Sequence, residues 1–139
     1  MKSSSLALLG IMLLFSFVSA AQEFEIPGDL PSSKDEFIKS EKDMINGAKW
    51  LESTPVGTQM DKRLKVNGWV VAWITNSPTV TVEVRESILK LFDKNSHLMI
   101  VFMAGYSRYC VENNYSIDGL KVNTAGIKSA INCYNLGVM

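Results

Sequence analysis

An apolar run near the N-terminus decides how much of this chain can belong to a folded domain. Lys2 and a short polar stretch precede an almost uninterrupted apolar segment at 6–18. A membrane-spanning helix takes roughly 20 apolar residues, so this segment is too short to cross a bilayer but has the length of a signal-peptide core. Small residues of the type that signal peptidase recognises end at Ala20. We therefore predict a cleaved signal peptide at 1–20.

The predicted signal peptide determines the net charge that we expect for the mature chain and the compartment in which we expect to find it. Of the 139 residues, 119 remain after removal of the first 20, and the 14 lysines and arginines fall to 13 against 14 acidic residues. This balance gives no cationic surface for nucleic acid or for an anionic membrane. We predict an exported protein, periplasmic or extracellular, with no transmembrane segment in the mature chain. An extended arm at 21–32 and a single domain at 33–139 are expected.

Most of the mature sequence has apolar residues at helical spacing. Ser33 and Glu36 have the spacing of a capping box, so a helix is expected to begin there and to end near Thr54. Four further helices are predicted: from about Thr58 to Thr75, from Val84 to Asp93, after a cap at Ser96, and from a cap at Asp118 to a stop at Gly137. The fold class predicted is all-α, a small bundle of about five helices.

The first predicted helix has the clearest amphipathic pattern, and the last predicted helix also carries apolar residues on one face. In the last helix, residues 127, 130, 131 and 134 match the i, i+3, i+4, i+7 template of an amphipathic helix. The apolar residues on this face are Leu120, Ile127, Ala130, Ile131 and Tyr134.

The segment at 69–84 admits a second interpretation. Residues 69–74 are apolar on all sides, as in an interior helix, but their β-branched and aromatic types also suit a strand. Residues 79–84 alternate as strands do, so the alternative is an α+β fold with a β-hairpin at 69–84. A lone hairpin is marginally stable, and no third strand of similar quality is present. The sequence therefore favours the helix.

Two cysteines, Cys110 and Cys133, lie in the mature chain, and an exported compartment permits a disulfide between them. If the last two helices form an antiparallel hairpin, Cys133 lies roughly 20 Å along the axis from the turn near Cys110. A disulfide requires Cα atoms within about 7 Å. The two cysteines therefore form either a disulfide or two separately buried thiols. The spacing favours the separate thiols.

No pattern typical of an active site or cofactor site occurs in the sequence. The one histidine, His97, follows the predicted cap Ser96 and is expected on the surface of a first helical turn. Metal sites need several His and Cys ligands at workable spacing, and phosphate loops need clustered glycines. We therefore predict no catalytic residue, no metal site and no cofactor.

Tyrosine and arginine side chains are concentrated near one predicted end of the bundle. These types anchor protein interfaces when they are exposed, and they are ordinary core residues when they are buried. The candidate binding residues are Tyr106, Arg108, Tyr109 and Tyr115, with Trp69 and Trp73 on the interior helix.

Two resemblances cover parts of the mature chain. The span from NSPTVTVEVRESILKLF through CVENNYS, followed by GLKVNTAGIKSAINCY, resembles an uncharacterised group of small secreted bacterial helical proteins, to which no activity is assigned. A weaker similarity, confined to the layout VT…LxxF…L at 80–98, is to the Tai-type periplasmic immunity proteins of contact-dependent bacterial competition. The cysteine pattern differs from theirs, and no functional residue is carried over.

These observations predict a noncatalytic exported protein that acts by binding a protein partner in the periplasm or at the cell surface. An immunity-type inhibitor of a toxin is one alternative. A small secreted hydrolase without a recognisable motif is another, and a deep pocket with convergent carboxylates would favour it.

Overall fold

The computed structural model describes residues 23–138, in which every regular element is an α-helix. The helices are α1 (Lys34–Ser53), α2 (Met60–Asn76), α3 (Glu86–Leu91), α4 (Ser96–Glu112) and α5 (Gly119–Val138). The all-α prediction is confirmed. The alternative β-hairpin at 69–84 is wrong, because α2 continues to Asn76 and 77–85 forms an extended connection without strand pairing. The predicted signal peptide at 1–20 lies outside the described residues.

The N-terminus of α1 is capped from both directions. The Ser33 hydroxyl accepts a hydrogen bond from the Glu36 amide at 3.3 Å. The Glu36 carboxylate in turn accepts from the Ser32 amide at 2.7 Å and from the Ser32 hydroxyl at 2.8 Å. The capping box therefore forms, with its returning bonds on Ser32 instead of on the cap residue. These bonds from Ser32 hold the pKa of Glu36 below its ordinary value.

The caps of the last two long helices agree closely with the sequence pattern. Asn95, one residue before the predicted cap, accepts a hydrogen bond from the Leu98 amide and begins α4. Asp118 accepts from two amides of the first turn of α5, as expected. The predicted stop at Gly137 is wrong, because α5 continues to Val138.

Arg63 caps the opposite end of α1 from a different helix. The last turn of α1 contains no basic residue, although cations stabilise helix C-termini. Nη2 of Arg63, in α2, donates to the carbonyl oxygens of Leu51 at 3.1 Å and of Thr54. Its guanidinium also lies 5.9 Å from the centroid of the Trp50 ring. Arg63 is fully buried, whereas Asp61 in the same turn of α2 is exposed to solvent.

All three tryptophans of the chain lie in α1 and α2, and all are buried. Trp73 packs edge-on against Phe37 of α1, with ring centroids 5.6 Å apart, and its indole nitrogen donates to the Ser40 hydroxyl at 2.8 Å. The arm that precedes α1 joins the same layer through Phe24, whose ring centroid is 6.4 Å from that of Trp69.

Helices α4 and α5 make the most extensive helix–helix contact of the fold. A Cβ atom at Gly126 of α5 would lie 2.7 Å from the carbonyl oxygen of Phe102 in α4. A Cβ atom at Gly105 of α4 would collide with the side chain of Ser129 in α5. The two helices approach this closely because both glycines lack a side chain. Within the described range, no helix has the length and apolar content needed to cross a membrane.

We expect Gly126→Ala to lower the free energy of unfolding by about 1–3 kcal/mol, because the added methyl group overpacks the contact with Phe102. Gly68→Ala is the matched control. Gly68 is an exposed residue inside α2 with open space at its Cβ position, so the same change should raise the free energy of unfolding by about 0.5–1 kcal/mol. Urea denaturation followed by circular dichroism measures both. Equal effects at the two positions would contradict the close approach of α4 and α5.

Candidate binding surface

The four residues predicted as a binding cluster do not converge on one site. Tyr106 points into the core, where its ring packs edge-on against Phe102 with centroids 6.2 Å apart. Burial raises the pKa of its hydroxyl above the ordinary value. Trp69 and Trp73 are buried as well, so these three aromatic residues stabilise the core and are not available to a partner.

Tyr115 lies in the turn between α4 and α5 and ties that turn to α1. Its hydroxyl donates to the Glu41 carboxylate at 2.9 Å, and this hydrogen bond raises the pKa of Tyr115. The backbone at Tyr115 has a left-handed φ of 57°, as does that of the preceding Asn114 at 53°. Asparagine tolerates the left-handed region, whereas tyrosine adopts it at a cost, so the Glu41 bond helps to hold Tyr115 in this conformation.

Arg108 belongs to a polar junction where α1, α4 and α5 meet. One carboxylate oxygen of Glu52 accepts from Arg108 Nη1 at 2.8 Å and from the Ser129 hydroxyl at 3.0 Å. The other accepts from the Asn132 side-chain amide at 2.8 Å. We call these four residues the Glu52 junction. Glu52, Ser129 and Asn132 were not predicted as site residues, because their contacts join positions far apart in the sequence and leave no local motif.

Two surface grooves meet at the Glu52 junction. One, of about 520 Å³, lies on its α1 side and includes Lys49 and Leu136. The other, of about 620 Å³, runs between α4 and α5 and is called the α4–α5 groove below. Besides residues of the junction, its lining includes Tyr109, Leu120, Lys121, Thr124 and Lys128. Arg108 and Tyr109 are therefore the two predicted binding residues that share a groove.

The apolar face predicted for the last helix is largely exposed. Side chains of Leu120, Ile131 and Tyr134 are 80%, 51% and 56% exposed, and Ile127 between them is half-buried. We call these four residues the α5 stripe. The inward face of α5 is built mainly from small side chains, among which Ala130 alone belongs to the predicted face. Most of this face stays exposed because the close contact with α4 admits only small residues.

Both cysteines are free thiols buried in the structure, and they do not form the disulfide considered as one alternative. Cys133 lies beside Arg63, with 3.8 Å between Sγ and Nη2, and its thiol is 3.6 Å from the Thr54 carbonyl oxygen. Burial raises the pKa of Cys110 and of Cys133, although the Arg63 charge acts in the opposite direction on Cys133. Both thiols are therefore disfavoured as nucleophiles.

His97 is partly buried, not on the surface as expected, because it contacts α2. Its Nδ1 lies 3.2 Å from the side-chain nitrogen of the buried Asn67. Within residues 23–138, no three His, Cys, Asp or Glu side chains are grouped to hold a metal ion.

A third groove, of about 480 Å³, is lined by the acidic residues Glu23, Glu25 and Asp43. Glu23 and Glu25 are exposed to solvent, and Glu23 forms an ion pair with Lys62 at 3.4 Å. Catalytic carboxylates usually act in sites that restrict water. This groove is open to solvent, and it therefore lacks the deep convergent geometry that would favour a hydrolase.

Comparison of the chain with known protein families, with characterised proteins and with solved structures finds no match.

We expect Glu52→Ala to lower the free energy of unfolding by about 2 kcal/mol, because Arg108 and two neutral donors lose a partly buried acceptor. Glu112→Ala is the control. Glu112 is more exposed and lies 3.8 Å from Arg108, so its loss should cost less than about 0.5 kcal/mol. Thermal and urea unfolding compare the two variants, and a Glu112 effect as large as that of Glu52 would contradict the assignment of Glu52 as the centre of the junction.

Proposed function

We propose that this chain is an exported, noncatalytic helical protein that binds a protein partner through the α5 stripe. The observation that carries the proposal is the exposure of Leu120, Ile131 and Tyr134 along one line of a long helix. Scattered apolar side chains are normal on a protein surface, whereas a contiguous apolar patch marks an interaction site.

The chain just before α5 extends the apolar surface at one end of the stripe. Ile117, two residues before the helix begins, is 94% exposed. Leucine, isoleucine and tyrosine present a large apolar area to a partner, and Tyr134 adds a hydroxyl at the rim. A helical surface of this kind suits docking of another helix or of an apolar groove on the partner.

The distribution of reactive groups supports binding over catalysis. Cys110 and Cys133, which would be nucleophiles in a hydrolytic mechanism, are buried and have raised pKa values. Glu52 uses both carboxylate oxygens in hydrogen bonds that join three helices, which is a structural task. The grooves described above are open surface features, as expected for contact with a macromolecule.

Export forms the second part of the proposal, and it is supported by the apolar segment at 6–18 and by the small residues that end at Ala20. Mass spectrometry of the protein recovered outside the cytoplasm should give an N-terminus at or near Ala21. An intact Met1 on protein held in the membrane fraction would contradict it.

We expect Ile131→Asp to reduce capture of the partner at least about tenfold, because it places a charge in the centre of the apolar contact. Leu64→Asp is the matched control, since Leu64 is 57% exposed on α2 and is not part of the stripe. Tagged wild-type protein and both variants are compared by quantitative capture from the extracytoplasmic fraction of producing cells, with unfolding temperatures measured in parallel. Equal capture by both variants would overturn the assignment of α5.

A further inference from the structure

We propose that the α4–α5 groove receives an acidic side chain of the partner, adjacent to an apolar side chain that packs on the α5 stripe. The recognised feature is a carboxylate beside a leucine-like residue on one face of a protein segment. This inference rests on the proposed function and adds the chemistry of the partner to it.

The charges that line the groove favour an anion. Arg108, Lys121 and Lys128 line it together with one acidic residue, Glu52. The two oxygens of Glu52 already accept three hydrogen bonds within the junction. Outside the lining, Glu112 lies 3.8 Å from Arg108, and Asp118 lies 3.4 Å from Lys121. No ion pair within residues 23–138 involves Lys128, which is therefore the cation best placed to meet a charge from outside.

Neutral donors in the same groove suit a carboxylate. Tyr109 and Thr124 line the groove, and their hydroxyls make no hydrogen bond to another residue in the described part of the chain. A carboxylate offers two oxygens and accepts several hydrogen bonds at once. Hydrogen bonds between neutral donors and a charged acceptor are stronger than those between neutral groups. Lys128, Tyr109 and Thr124 together thus form a receptor for one negative charge.

The cationic and apolar features run side by side along α5. Lys121 and Lys128 project about 80–100° around the helix from Leu120, and α5 contains no acidic residue. Leu120 belongs both to the stripe and to the groove lining. A partner that covers the stripe therefore brings its flanking residues over the groove. A complementary negative charge on the partner at this flank would set the orientation of the partner and raise its rate of association.

A protein segment fits this surface better than a lipid bilayer. The groove is a recess between two helices, which an individual side chain can enter and a flat lipid surface cannot follow. Two lysines attract an anionic membrane only weakly, because segments that bind such membranes typically carry clusters of four or more lysine or arginine residues.

The test uses the purified exported protein, labelled with nitrogen-15, and three synthetic amphipathic peptides with the same leucine stripe. Their flanking positions carry glutamate, glutamine or lysine. We expect the glutamate peptide to bind at least about tenfold more tightly than the lysine peptide, with chemical-shift changes centred on Arg108, Leu120, Thr124 and Lys128. Lys128→Glu should remove this preference, and raised salt should weaken it.

Lys42→Glu is the matched control, because it makes the same charge change at an exposed position inside α1. It should leave the preference for the glutamate peptide unchanged. Equal affinity for the three peptides, or a preference that survives Lys128→Glu, would overturn the inference. Vesicles that contain an anionic phospholipid are titrated as well. If the protein binds them, Lys128→Glu abolishes that binding and the three peptides bind equally, then the surface recognises lipid and the inference is overturned.

The two proposals fail in different ways. If Ile131→Asp abolishes capture of the partner while the peptides are not discriminated, the stripe is an interface and the acidic recognition is wrong. If the glutamate peptide is selected at the groove while Ile131→Asp leaves capture unchanged, the groove binds carboxylates but the stripe is not the interface, and the proposed function is wrong.

Discussion

The close approach of α4 and α5 is the constraint on which the rest of this structure depends. Gly105 and Gly126 remove the side chains that would otherwise separate the two helix backbones. A helix that packs this tightly can place only small residues against its neighbour. The bulky residues of α5 therefore remain on its outer side. One packing requirement accounts both for the stability of the helix pair and for the apolar surface that α5 presents to solvent.

The C-terminal end of α1 organises the other interactions of the fold. Arg63 from α2 donates to the carbonyl oxygens of Leu51 and Thr54, and Glu52, between them in sequence, accepts from α4 and α5. Two nitrogens of the Arg63 guanidinium, Nε and Nη1, are buried without a hydrogen-bond partner in the described range. Burial of a charge in this state is costly. The negative end of the α1 dipole and the Trp50 ring offset part of this cost.

Local sequence signals identified the helices well and the surfaces poorly. Ser33, Glu36 and Asp118 act through amides within four residues, so their patterns in the sequence directly report caps. The burial of α5 could not be predicted in the same way, because its apolar periodicity identifies an apolar face but not whether a neighbour covers it. The contacts of Glu52 with residues of α4 and α5 follow from the packing of whole helices, which no local pattern encodes.

The placement of the tryptophans gives the molecule two optically distinct halves. Trp50, Trp69 and Trp73 lie in the layer formed by α1, α2 and the N-terminal arm, while α4 and α5 contribute tyrosines but no tryptophan. Tryptophan emission therefore reports mainly on the first layer, whereas far-ultraviolet circular dichroism counts every helical turn. If α5 loosens before the α1–α2 layer melts, the two signals separate along a denaturant titration. Coincident curves would instead identify the five helices as one cooperative unit.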